Sequence, residues 1–268
     1  MTNPLLSGKV AIVTGASRGL GRAMAMGMAK AGAHVVATAS QELNELEDLE
    51  SVGRNPDHGK IVALVGDVTN EADCRRVVSE AVDRFGKLDV LVNNAGRGMK
   101  FVSESFMSVP TRFWEVEPDT WRMIIDTNVN GPFLMSREAV PHMLANRAGR
   151  IVNISMNAAT IVRRGFSPYG PSKAALEAET TIWAQDLKET PITVNMLLPG
   201  GAVETGMIPT NVPDTIRSAL LQPQVMVPPL IWLASDQSSG VTGQRIIATE
   251  WSDVLAEKLL ANEGGGAR

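Results

Sequence analysis

Short apolar runs alternate along the chain with longer stretches patterned for helices. "KVAIVTG" (9–15), "HVVATA" (34–39), "KIVALVGDV" (60–68), "LDVLVNNAG" (88–96), "GRIVNIS" (149–155) and "ITVNMLLPG" (192–200) read as buried strands. "QRIIAT" (244–249) reads as a seventh, at the sheet edge. Between them, residues 21–32, 42–53, 71–86 and 172–188 carry helical patterns. Strands that are apolar throughout mark a sheet covered on both faces, and helical crossovers of this length mark parallel pairing. Right-handed crossovers then place helices on either side. The pattern predicts a single α/β domain, a doubly wound parallel sheet of about seven strands.

Two segments exceed that plan. Residues 97–119, rich in Phe, Met and Trp, and residues 201–229, studded with prolines, are long connections that follow strand C-termini. Open α/β sheets bind ligands at those ends, and long loops in a compact domain are commonly functional. Both segments are therefore expected to wall a substrate site, with Met99, Phe101, Phe113, Trp114, Met207, Ile208 and Met226 as an apolar lining. Packing of the same side chains onto the core is an equal alternative. The last residues, 261–268, are expected to fray.

Composition narrows the partners. The chain has 268 residues, 44% hydrophobic and 20% charged, with a net charge of −4. Nothing in that balance points to nucleic acid or an anionic membrane. No apolar run is long enough for a membrane span, and the N-terminus lacks a secretory pattern. A cytoplasmic location is the plain expectation. Cys74 is the single cysteine, and the three histidines have no metal-ligand spacing, so neither a disulfide nor a metal site is expected.

"TGASRGLG" (14–21) lies between the first strand and the first helix. Gly15, Gly19 and Gly21 allow a sharp turn and a close backbone approach to a pyrophosphate, with Ser17, Arg18 and Leu20 completing the loop. An acid at the end of the second strand would favour NAD by binding the 2′-hydroxyl. Here Ala39 stands at that place, and the first carboxylate is Glu42. Arg18 can pair with a 2′-phosphate, and Thr38 and Ser40 can donate to it. NADP is expected over NAD.

These residues carry a resemblance. "TGASRGLG", "GDV" (66–68), "NNAG" (93–96), "TNVNGPF" (127–133), "YGPSK" (169–173) and "PGGAVET" (199–205) stand in the order found in the short-chain dehydrogenase/reductase family. The match runs from about residue 8 to residue 248. It implies a Rossmann fold, a nicotinamide-dependent oxidoreductase and a homo-oligomer, a tetramer or dimer. By position, Asp67 and Val68 would line the adenine pocket, and Asn94, Ala95 and Gly96 the middle of the cofactor. Pro199, Gly200 and Thr205 would meet the nicotinamide end. Asn128, Tyr169 and Lys173 match the catalytic set, Tyr169 as acid/base beside a small carbonyl or alcohol substrate. Lys173 would bind the ribose, and Asn128 would hold a relay water.

A phenol has a pKa near 10, and Lys173, one helical turn on, shares a face with Tyr169 and would lower it. Tyr169 is the chain's only tyrosine. The family also places a Ser thirteen residues before the Tyr to orient the carbonyl, and here that residue is Met156. Thioether sulfur donates no hydrogen bond. Three readings stay open: Ser155 takes the role, Asn157 takes it, or the donor is absent. In the last case the alternative function is a cofactor-binding protein with weak turnover, a sensor or partner subunit.

Overall fold

The computed structural model describes residues 4–41, 44–210 and 212–264. Its seven strands are β1 (Val10–Val13), β2 (His34–Ala39), β3 (Ile61–Val65), β4 (Val90–Asn93), β5 (Gly149–Ile154), β6 (Ile192–Leu198) and β7 (Arg245–Ile247). They form one parallel sheet in the order β3-β2-β1-β4-β5-β6-β7. The Rossmann-type sheet expected from the sequence is therefore present, with "QRIIAT" supplying the edge strand.

Alternation along β1 explains the two cores. Ala11 and Val13 enter a cluster with Met24, Met28, Leu230 and Leu233, whereas Val10 and Ile12 face Val77, Met135 and Met143. Successive strand side chains point to opposite faces. The first cluster is roofed by α1 (Gly19–Lys30), α2 (Asn44–Val52), α9 (Val227–Ala234) and α10 (Asp253–Gly264). The second lies under α3 (Glu71–Phe85), α5 (Gly131–Ala145) and α7 (Tyr169–Asp186). The remaining helices are short: α4 (Pro118–Ile125), α6 (Ala158–Ile161) and α8 (Asp214–Arg217).

The ends of α3 show what local sequence can specify. Asn70 accepts from the backbone N–H groups of Ala72 and Asp73, and Gly86 closes the helix at φ +81°. In contrast, α1 begins after Arg18 with no capping side chain and no acid in its first turn. Its exposed amides are left for something else.

Several elements depart from the sequence pattern. Helices α4, α5, α9 and α10 were not foreshadowed: α5 carries Pro132 at its start and Pro141 inside, and α9 opens with Pro228 and Pro229. Met226 is fully buried against the α1 core, which removes it from the expected substrate lining. The C-terminal stretch expected to fray is helical to Gly264, and residues 265–268 lie outside the described residues, as do 42 and 43 at the start of the second predicted helix. No helix among the described residues is long and apolar enough to cross a membrane.

Candidate active site

The order of the sheet reverses between β1 and β4, so a crevice opens where their C-termini diverge. Thr14 and Asn94 pin it. The Thr14 hydroxyl oxygen accepts from the backbone N–H groups of Asn94 and Ala95, at 3.0 Å each. The Asn94 amide donates to the carbonyls of Thr14 (2.8 Å) and Gly15 (3.1 Å). Glycine is obligatory in this loop: a Cβ on Gly21 would stand 2.2 Å from the Gly15 carbonyl, and one on Gly15 2.8 Å from the Ala95 Cα. The loop is thus drawn tight against β4, with the uncapped amides of α1 beyond it. This backbone cradle fits a pyrophosphate.

Thr205, from the 201–229 segment, lies against Gly19, and Gly206 lies beside the Arg18 guanidinium. That segment therefore covers the glycine loop. Ser17 is buried within the loop, Leu20 half-buried and Arg18 exposed. On the ribose side the polar candidates differ in exposure. Thr38 lies within β2 and is almost wholly buried, while Ser40 and Arg18 are exposed polar groups. Asp67 folds a local turn by accepting from the backbone N–H and hydroxyl of Thr69, and Val68 packs on Gly131. Pro199 is buried, and Gly200 follows it at φ +97°.

The catalytic candidates meet at the start of α7. Lys173 is buried, and its ammonium donates to the Ile154 carbonyl at 2.7 Å. Tyr169, one turn earlier, is half-buried. Asn128 is wholly buried in a π-helical turn (Asp126–Asn130). It accepts from Arg97 N–H (2.8 Å) and donates to the Arg97 carbonyl and the Ser172 hydroxyl (2.9 Å each). Ser172 in turn donates to the Tyr169 carbonyl at 2.7 Å. This chain locks the segment after β4 to the first turn of α7. Gly96 lies beside both Asn128 and Lys173, and Gly98 beside the Tyr169 ring and Met207. Tyr169, Lys173 and Asn128 are brought together.

Burial sets their proton affinities. Desolvation pushes the Tyr169 phenol up to about 12, against the expectation that Lys173 would lower it. It pulls Lys173 down to about 8, opposed by the carboxylate of Glu177.

Met156 occupies the ground where a polar donor was sought. It is buried in an apolar cluster with Met99 and Phe166, and Tyr169, Phe106 and Ile161 pack against that cluster. Its two polar neighbours differ in what they have left to donate. The Ser155 hydroxyl donates to Glu177 Oε1 at 2.6 Å, and a hydroxyl has one proton to give. In this arrangement Ser155 has no proton left for a substrate carbonyl. Asn157 donates one amide N–H to the Gly200 carbonyl at 2.9 Å and keeps its second. Arg245 completes the frame: it pairs with Glu177 at 3.2 Å and donates to the Met156 carbonyl at 2.7 Å.

The sequence reading did not single out Glu177, Arg245, Phe106 or Ile161. Glu177 carried a signal, since it falls one turn after Lys173 on the same helix face. Arg245 carried none, because β7 reaches it from far along the chain. Of the expected substrate lining, Met99 and Met207 lie near Tyr169, while Phe101, Phe113 and Trp114 are exposed. Among the described residues no group of three or more His, Cys, Asp or Glu side chains is placed to hold a metal.

The family model for short chain dehydrogenase matches residues 9–215. The chain belongs to this family. Among short-chain dehydrogenases, it is 33% identical over 252 residues to the 3-oxoacyl-(acyl-carrier-protein) reductase FabG of Thermotoga maritima, covering 90% of this chain and 96% of that one. It is 31% identical to glucose 1-dehydrogenase 2 of Bacillus subtilis, covering 89% of this chain and 92% of that one. A candidate short-chain alcohol dehydrogenase from Sinorhizobium meliloti superposes with a TM-score of 0.79 at 29% identity, over 92% of this chain and 97% of that one. The family's oxidoreductase character extends to this chain. The two curated relatives are named for unrelated substrates, so neither name transfers.

Proposed function

We propose that the protein is an NADP(H)-dependent carbonyl reductase or alcohol dehydrogenase acting on an apolar substrate, with Tyr169 as its acid. The observation that carries this reading is that half-buried Tyr169 and buried Lys173 stand one turn apart on α7, with the Lys173 ammonium bonded to the end of β5. The nicotinamide, when bound, supplies or accepts the hydride. The glycine loop and the α1 amides hold its pyrophosphate, and Arg18 and Ser40 meet the 2′-phosphate.

The chain's own groups handle the proton. A phenol held up to about 12 is protonated at neutral pH, which makes Tyr169 ready to donate to a carbonyl oxygen as it becomes an alkoxide. The Lys173 ammonium stabilises the phenolate left behind. Two of its three protons remain after the bond to Ile154, available to ribose hydroxyls and to the Tyr169 oxygen. Asn128 sets the position of α7 and supports a relay water. Met99, Met156 and Phe166 offer the substrate an apolar wall.

Met156 adds no polarising donor and Ser155 has spent its proton, which leaves the second N–H of Asn157. Without it turnover is slow rather than absent, since loss of one such donor costs about a hundredfold or more. Tyr169, Lys173 and Asn128 remain in register, which favours an enzyme over a binding protein. A homo-oligomer, tetramer or dimer, is part of the same reading. The test is NADPH consumption against a panel of apolar ketones. Binding of NADPH without turnover of any of them would count against the enzyme.

A further inference from the structure

Beside the apolar cluster that meets Tyr169, a cleft of about 670 Å³ opens between residues 109–115 and 161–167. Cavities that hold small molecules span roughly 300–1,000 Å³. Neither Tyr169 nor Lys173 lines it, and its back wall is Phe166, whose cluster meets Tyr169. We propose that this cleft binds a small organic anion with a flat apolar body.

Charge selects the anion. Arg112, Arg163 and Arg164 line the cleft against the single carboxylate of Glu115, so three positive charges less one negative leave two positive. The whole chain carries −4, which makes this local surplus run against the rest of the protein. Glu115 lies 3.4 Å from Arg112 and nowhere offsets the other two. Arg164 is exposed and makes no hydrogen bond or ion pair among the described residues.

Apolar surface selects the body. Phe113 and Trp114 are each 66% exposed and meet edge to face at 5.1 Å, and Val162 is 82% exposed. Large apolar side chains crowded at one concave place, rimmed by polar groups, mark a binding surface. Arg163 lies 5.0 Å over the Phe166 ring and Arg112 5.8 Å over Trp114. The Arg163 guanidinium, with no other side-chain bond among the described residues, has its N–H groups free for a carboxylate or sulfonate, whereas Arg112 already donates to Glu115. The cleft thus supplies exposed aromatic faces, set edge to face, with guanidinium donors at its border.

The inference does not rest on the oxidoreductase reading, and its test involves no turnover. Calorimetric titration of the full chain with 2-naphthoate and with the neutral 2-naphthamide compares charge at constant shape. Naphthoate is expected to bind about tenfold or more tighter than the amide, the worth of a charge-assisted pair. The double substitution Arg163→Ala, Arg164→Ala should remove that preference. Arg164→Gln alone, which disturbs no contact, should weaken naphthoate several-fold with an unchanged thermal melt. Equal affinity for the two ligands, no binding of naphthoate, or unaltered naphthoate binding in the Arg164→Gln chain overturns the proposal.

Discussion

The Ser155 hydroxyl and the Glu177 carboxylate are joined at 2.6 Å, and that bond takes the serine's only proton. Glu177 also accepts from Arg245, whose guanidinium anchors the Met156 carbonyl. The strand end after β5 is thereby fixed with a thioether, not a hydroxyl, beside Tyr169. Carbonyl polarisation is the function this arrangement weakens.

Restoring a donor should quicken the chemistry. Met156→Ser is expected to raise kcat for ketone reduction by about tenfold or more, since one oxyanion donor is worth at least that. The same change empties part of the cluster with Met99 and Phe166, at a cost of about 2 kcal/mol or more in stability. Steady-state kinetics and chemical denaturation check the two halves together. An unchanged kcat in a destabilised variant would show that carbonyl orientation is not what Met156 limits.

Glu177 should be felt through Lys173. Burial lowers Lys173 to about 8 and the Glu177 carboxylate opposes that fall, so Glu177→Gln lowers it further. Reduction needs the protonated ammonium, so activity present below about 8 in the wild type declines as pH rises through that value. In Glu177→Gln the decline should begin at lower pH, and Glu177→Asp should sit nearer the wild type. Profiles of kcat/KM against pH decide this. Superimposable alkaline limbs contradict it.

Glu179, two residues on, gives a stability prediction of the opposite kind. One of its carboxylate oxygens is buried with no hydrogen-bond partner among the described residues, and burial raises it from 4.5 to about 7. Between those two values the folded chain holds a proton that the unfolded chain has released, so this group's contribution falls as pH rises from 4.5 to 7. The melting temperature of Glu179→Gln relative to wild type should therefore be higher at pH ~8 than at pH ~4. A difference that does not vary with pH would remove the buried carboxylate from the explanation.

Arg18 is expected to set cofactor choice. Arg18→Ala should weaken NADPH by roughly tenfold to a hundredfold, the worth of a hydrogen-bonded charge, with little change for NADH. Dissociation constants from fluorescence titration measure both. Equal losses for the two cofactors would place Arg18 on the shared pyrophosphate.

The sheet was readable because its strands are mostly apolar and its helices are spaced between them; β1, β5 and β6 are buried along their whole length. The glycine loop was readable because a Cβ at Gly15 or Gly21 has no room. Helices α5 and α9 were obscured by prolines at or near their first turns, where proline costs little. Ser155 could not be assigned from spacing alone, because its partner Glu177 lies 22 residues away and Arg245, which shares that partner, lies on the edge strand.

The most direct measurement is the rate of NADPH oxidation by Tyr169→Phe with the best ketone found for the wild type, alongside its NADPH dissociation constant. The proposed mechanism predicts a rate lower by at least about a hundredfold, the usual contribution of a general acid, with cofactor affinity nearly intact. A Tyr169→Phe protein as fast as the wild type would contradict it, because no other phenol exists in the chain to deliver the proton.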